Sequence, residues 1–356
     1  MDYIYRFPVV RGIQAGSEYY IAMVPLKMLS KLFSTDEEEY IPPEYRAQRR
    51  LKESRIPVIS KYILDNRENY VFSALAASID GEFEFKNNKA NDDIGILEVS
   101  MDAHFLINDG QHRKAAIMTA LKEDMSLENE TISIVFYADK GLRRSQQIFT
   151  DLNKNAVRTS NSISELYDSR DEMAVITRNV IWNNDFLNAY TDKEKDILGK
   201  YSSSLFTLNT FYTANKTIVG RTIKKDTEKF LLNYWNNIVE HMVQWQELQH
   251  REITKVDLRE SYIATQSIVI QALGRIGNYY ISHQDEMKNG LRDLEKVNWS
   301  RSAKQWYMRA VGKNGRIITS KRAALLISNV IKKELGITLS VEEINAEEAL
   351  KKAIKD

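Results

Sequence analysis

No cysteine occurs among the 356 residues of this chain. That excludes disulfides, thiol nucleophiles and cysteine-ligated metal sites, and it fits a reducing, cytoplasmic setting. No apolar run approaches the roughly 20 residues that cross a bilayer, so no membrane association is expected. The start, Met1-Asp2-Tyr3-Ile4-Tyr5-Arg6, lacks the basic region and apolar core of a signal peptide. An excess of either charge is also missing: 50 Lys and Arg offset 49 Asp and Glu, for a net +1. A nucleic-acid surface would therefore have to come from local clustering. The five histidines (His104, His112, His241, His250, His283) show no HExxH spacing, and no metal site is expected. There is no GxxxxGK[ST] loop, no GxGxxG after a strand and no serine in an elbow setting. Carboxylates are plentiful but not paired at diagnostic spacing, and internal repeats are absent.

What is present is an ordinary globular composition, 43% hydrophobic and 28% charged, at a length suited to two or three domains. Residues 1–158 read as a mixed α/β domain. Tyr19–Pro25, Ile94–Val99, Phe105–Ile107 and Thr131–Tyr137 carry strand patterns, the last β-branched and aromatic enough to imply burial on both faces. Pro57 opens a short helix through Tyr62, Ile63 and Leu64. Asp80-Gly81 between Val71–Leu75 and Glu82–Phe85 is a hairpin signal. A polar stretch, Lys154 to Asn161, marks the boundary. Residues 159–356 read as nearly all helix, with amphipathic patterns over Ile163–Trp182, Lys225–Trp245, Tyr262–Ile281 and Ser320–Leu335. Leu335-Gly336 reads as a glycine C-cap, and Ser340-Val341-Glu342-Glu343 as a capping box for a short last helix. The fold class expected is α+β.

Four segments are candidates for carrying chemistry. Asn108-Asp109-Gly110-Gln111-His112-Arg113 closes an apolar run and opens a helical pattern, so it reads as strand, glycine turn and helix start. Helix N-termini leave N–H groups unpaired and favour anions, Gly110 permits a close backbone approach, and Arg113 offers a planar fork for phosphate. A structural turn with an Asp cap is the plainer reading. Gln48-Arg49-Arg50 with Arg55 could face this turn and complete a phosphate pocket, or be a solvated basic stretch. Gly141–Asn153 reads as an amphipathic helix whose Arg143 and Arg144 matter only if they line the same cleft.

The fourth segment, Trp299–Lys333, contains no Asp or Glu but nine cations: Arg301, Lys304, Arg309, Lys313, Arg316, Lys321, Arg322, Lys332 and Lys333. Trp299, Trp306 and Tyr307 are interleaved, which is how a nucleic-acid surface reads. A helix over Arg301–Val311, a turn at Gly312–Gly315 and a helix over Ser320–Leu335 would make a helix-turn-helix-like unit at 299–335. The alternative is a basic helical face docked on an acidic surface or partner.

Asp109-Gly110-Gln111-His112-Arg113 resembles the naming motif of the DGQHR-domain family, and within it the DndB branch, tied to bacterial DNA phosphorothioation (sulfur modification). Gln48-Arg49-Arg50 with Arg55-Ile56, Phe149–Asn153, Ser162–Asp168 and Trp299–Gly336 also look like the family. The resemblance implies a ParB/sulfiredoxin-like N-terminal domain, in which a glycine turn ending in Arg binds nucleotide phosphates or DNA. Glutamine here occupies the place of the sulfiredoxin cysteine, so that chemistry is excluded. The second arginine of the ParB box is missing, which argues against CTP use. Phosphate binding remains open to Asp109, Gly110, Gln111, His112 and Arg113, with Gln48, Arg49 and Arg50; a nucleoside triphosphate is the cofactor to consider. The implied function is a DNA-binding repressor acting on double-stranded DNA at the promoter of its own modification genes, through Arg301, Lys304, Arg309, Lys313, Arg316, Lys321 and Arg322. Two alternatives stand beside it. One is an NTPase or nicking enzyme with His112 as general acid–base, Asp109 as its orienter or a metal ligand, and Arg113 beside them. The other is an adaptor for the DNA-modification proteins. Two-fold operators would call for a homodimer.

Overall fold

The computed structural model describes residues 4–33, 52–138, 147–148, 151–152, 159–199 and 201–355. Gln48, Arg49, Arg50, Arg143, Arg144, Asn153 and Asn155 lie outside the described residues. The chain divides into two compact units, Met1–Val157 and Arg158–Asp356.

The first unit is built on a seven-stranded mixed sheet of order β4-β5-β1-β2-β7-β3-β6. Its strands are β1 (Ile4–Gln14), β2 (Ser17–Pro25), β3 (Leu75–Asp80), β4 (Phe83–Asn88), β5 (Asn91–Ser100), β6 (His104–Asp109) and β7 (Thr131–Ala138). Only β3 and β7 run parallel; the other neighbours are antiparallel. Alternate residues such as Phe7, Val9, Tyr20, Ala22, Ile134 and Phe136 enter one core with Ile63 and Ile117, as the period-2 pleat requires. Those last two come from α2 (Ile56–Asp65) and α3 (Gln111–Glu123), which pack on each other; a one-turn α1 (Leu29–Leu32) adds Leu29 and Leu32.

Three sequence expectations change here. Asp80-Gly81 does not close a hairpin. Both edges of β3 are taken, by β7 and β6, while β4 pairs with β5 at the far edge. The Gly81 turn therefore moves the chain across the sheet. β7 is fully buried on one face only: Ile132, Ile134 and Phe136 are buried, whereas Ser133, Val135 and Tyr137 are half-buried. β1 was not foreseen, because Pro8 interrupts its pattern. It is tolerated because the ladder to β2 begins only at Val9, so the missing N–H costs no bond on that side.

The second unit is helical: α4 (Asn161–Tyr167), α5 (Glu172–Trp182), α6 (Asp185–Tyr190), α7 (Leu208–Val219), α8 (Thr227–His241), α9 (Val243–Gln249), α10 (Lys255–Ser261), α11 (Ser267–Tyr280), α12 (Gln284–Leu291), α13 (Lys321–Glu334) and α14 (Val341–Lys355). Helix α11 packs against α7 and α13, and Trp235, Trp245, Trp299 and Trp306 are all buried in one core. The pattern over Ile163–Trp182 is two helices, because Asp171 accepts from the Ala174 N–H and starts α5 afresh. Lys225–Trp245 is likewise divided, into α8 and α9. The cap at Leu335-Gly336 and the Ser340/Glu343 box both form; Gly336 has φ +70°, and the Ser340 and Glu343 side chains each accept the other's N–H. The last helix is longer than expected, 15 residues.

The helix-turn-helix-like reading of 299–335 is not what forms. Residues 301–311 hold only a 3-10 turn, Lys304–Trp306. Met308, at φ +57°, breaks any continuation, and bridges Tyr307 to Val311 and Val311 to Ile317 fold the rest into an irregular loop. Trp299 and Trp306 stack at 5.6 Å and are buried. In α13 every residue from Ala323 to Ile331 is buried, which leaves no exposed face to lie in a DNA groove. Among the described residues no helix is long and apolar enough to cross a membrane.

Candidate functional site

The Asp109–Arg113 segment is the junction of β6 and α3, as the sequence pattern required. Gly110 is the N-cap of α3 at φ +104°, and a Cβ there would meet Leu75 Cδ2 at 2.3 Å; only glycine fits. Before it, buried Asn108 accepts from Ser78 Oγ at 2.9 Å. After it, no side chain caps the helix and its first turn holds no acid, a setting in which the helix dipole favours an anion.

Arg113 folds back across the turn. Its Nη2 donates to Asp109 Oδ2 at 2.9 Å and to the Ala74 carbonyl at 3.1 Å, while its Nε is sealed from solvent without an acceptor among the described residues. His112 Nε2 accepts the Lys52 N–H at 2.9 Å, which puts the ring proton on Nδ1. Burial, then the Arg55 charge, pushes the His112 pKa below its ordinary value, against the pull of Asp109. The imidazole is therefore neutral near pH 7, with its Nε2 lone pair already used.

The structure thus brings Asp109, Gly110, His112 and Arg113 together, and docks the Lys52–Arg55 end of the basic stretch on them. Lys52 was missed, because its contribution is a backbone donor that no side-chain pattern signals. Chemically the arrangement is an ordered, locally cationic turn. Among the described residues no group of His, Asp or Glu could hold a metal ion.

In the second unit the nine cations of the basic segment separate into two sets. Arg309 forms a two-pronged pair with Glu347, Nη1 donating to Oε1 at 2.8 Å and Nη2 lying 2.7 Å from Oε2. Lys332 donates to both oxygens of Glu343, at 2.7 and 3.0 Å, and this carboxyl sits below its usual range: burial would raise it, but Lys332 and the Ser340 N–H outweigh that. Lys333 Nζ is 3.9 Å from Glu347, and Arg301 Nη2 donates to the Gly315 carbonyl at 2.6 Å. The acidic surface weighed against DNA is therefore real for part of the segment, and it is α14. Glu343 and Glu347, four apart and on one helix face, were its legible signal.

Lys304, Lys313, Arg316, Lys321 and Arg322 remain exposed. No described carboxylate pairs with any of them; the pairs of this segment go to Arg309, Lys332 and Lys333. Arg322 and Lys321 occupy the first turn of α13, which Ser320 caps by accepting the Ala323 N–H.

Comparison with curated proteins and with solved structures returned no match. A family model does match: DndB, described as DNA-sulfur modification-associated, aligns with residues 7–338. That span contains both the Asp109–Arg113 turn and the basic segment, and on it the chain belongs to the DndB family, associated with DNA sulfur modification.

Proposed function

We propose that this protein is a DNA-binding repressor of the modification genes with which its family is associated. The observation that carries this reading is the set of five exposed cations at residues 304–322 that no described carboxylate pairs, in a stretch free of carboxylates from Trp299 to Lys333. Phosphates of a duplex would supply the anions this surface lacks, and such contacts position a protein on DNA without reading sequence. Since α13 has no free face, bases are not read by a helix laid in the major groove; exposed loop side chains and DNA shape are the available means. The Asp109–Arg113 turn supports the reading as a second phosphate cradle. Its neutral His112 and inward-tied Arg113 suit holding a phosphate more than splitting one. The duplex expected is the promoter of its own operon, bound by a homodimer, with other modification proteins as further partners.

The test is fluorescence anisotropy with a promoter duplex and a scrambled duplex over a salt series. Wild type is compared with a Lys313/Arg316/Arg322 triple alanine variant. Promoter-preferring binding that the triple variant loses supports the repressor. Absence of binding at low salt refutes it.

A further inference from the structure

The loop that stands where a helix-turn-helix was expected ends in a small protruding turn. Val311 and Ile317 bridge antiparallel, and between them the chain reverses through Gly312-Lys313-Asn314-Gly315. The Gly315 N–H donates to the Gly312 carbonyl and the Gly312 N–H to the Arg316 carbonyl, both at 2.9 Å. Gly315 takes φ +73° and has open space where a side chain would stand, so the apex carries no bulk. Lys313, Asn314, Gly315 and Arg316 are all exposed.

Hydrogen-bonding groups are sorted at this tip. Acceptors are spent inside the protein: the Gly312 and Arg316 carbonyls close the turn, and the Gly315 carbonyl takes Arg301 Nη2 at 2.6 Å. Asn314 Oδ1 takes the Arg316 N–H at 3.0 Å. That last bond uses the oxygen end of the Asn314 amide and leaves its NH2 end free. Among the described residues nothing accepts from Asn314 Nδ2, Lys313 Nζ or the Arg316 guanidinium. The exposed side chains of the tip therefore offer donors only.

We propose that this tip enters the minor groove of A·T-rich duplex DNA, with Asn314 Nδ2 and the Arg316 guanidinium on the base edges. The inference rests on the DNA-binding reading above and names the sequence class that it selects. On the minor-groove floor, A·T and T·A pairs show only acceptors, adenine N3 and thymine O2, whereas G·C adds the guanine amino donor. Every pair in the major groove sets an amino donor beside its acceptors. A donor-only tip is thus matched by one surface of the duplex, the A·T minor groove. The size agrees: that groove, about 6 Å wide, admits a thin turn or a side chain but no helix. A·T tracts also narrow it and deepen its negative potential, which favours an inserted arginine. Lys304, Lys321 and Arg322 are left for backbone phosphates, and Arg301 holds the tip in place through Gly315.

The test is fluorescence anisotropy of the full-length protein with three duplexes that differ only in a central run of A·T, inosine–cytosine or G·C pairs. Inosine–cytosine keeps the A·T face in the minor groove and gives the major groove the G·C face. Expected are equal binding to the first two and at least about tenfold weaker binding to the third. Asn314→Asp keeps the oxygen that accepts the Arg316 N–H but removes the donor; in it and in Arg316→Ala the ratio of A·T to G·C affinity should fall towards one. Both positions are exposed, and the ratio is independent of a general loss of charge attraction. Equal binding to all three duplexes, or inosine–cytosine behaving as G·C does, overturns the minor-groove inference and leaves the repressor reading standing. An unchanged ratio in both variants overturns the assignment to this tip. Absence of binding to every duplex at low salt overturns both readings.

Discussion

Replacing Arg309 with alanine separates a DNA ligand from a structural cation. The Arg309 side chain is 16% exposed and that of Glu347 only 6%. Besides Arg309, Asn329 Nδ2 donates to Glu347 Oε1, at 3.0 Å. Arg309→Ala therefore leaves a buried carboxylate with one neutral donor and a distant Lys333. Breaking a buried pair from one side costs about 3–5 kcal/mol, and loss of the packed arginine stem adds to it. Urea unfolding followed by tryptophan fluorescence is the assay, since Trp306 lies three residues away in the same loop. The midpoint should fall strongly in Arg309→Ala. Arg316→Ala and Lys313→Ala, both at exposed positions, should stay within about 0.5 kcal/mol of wild type. Anisotropy should give the opposite order: Arg316→Ala weakens promoter binding, whereas folded Arg309→Ala retains it. If Arg309→Ala is as stable as wild type yet loses DNA, the Glu347 pair is not a stabilising contact and the division of the basic segment is wrong.

Other expectations concern single groups. Gly110→Ala forces a side chain into φ +104° and onto Leu75, so a loss of about 2–4 kcal/mol is expected in thermal melts. Burial, then Asp196 and Asp171, raises the Glu165 carboxyl of α4 to about 8 with Lys216 opposing, so it binds more protons folded than unfolded between its ordinary value and that point. Its ionisation therefore erodes stability as pH rises through that window, and Glu165→Gln should flatten the curve of midpoint against pH. His112 has the reverse sign: its folded pKa is lowered, so its contribution is intact above about 6.5 and lost as pH falls towards the folded pKa. An NMR titration should show a lowered His112 pKa that inorganic phosphate raises; no response to phosphate would count against the cradle.

The strand–turn–helix at Asp109–Arg113 was legible because each part is local: an apolar run, a glycine, then a 3.6-residue period. The Ser340/Glu343 box was legible for the same reason. Local signals failed where a distant partner decides. Asp80-Gly81 has hairpin chemistry, but β3 already lies between β7 and β6. Arg301–Val311 has helical composition, but the Trp299–Trp306 stack and the turn at Met308 prevail over it. The charge bias after Trp299 was visible; its division was not, since it depends on which cations Glu343 and Glu347 reach across the fold. Glu165 could have been suspected from a lone acid between Ile163 and Leu166, though its burial could not.

Helix α14 also sets an arithmetic limit. A duplex exchanges condensed sodium or potassium for protein cations, and each exchange makes log K fall against log salt by about 0.9. Nine free cations would give a slope near −8 on that rule. Glu343 and Glu347 already serve as permanent counterions to Arg309, Lys332 and Lys333, and Arg301 is held on Gly315. Five remain to release ions, and the basic segment alone can supply a slope no steeper than about −4.5 per protomer.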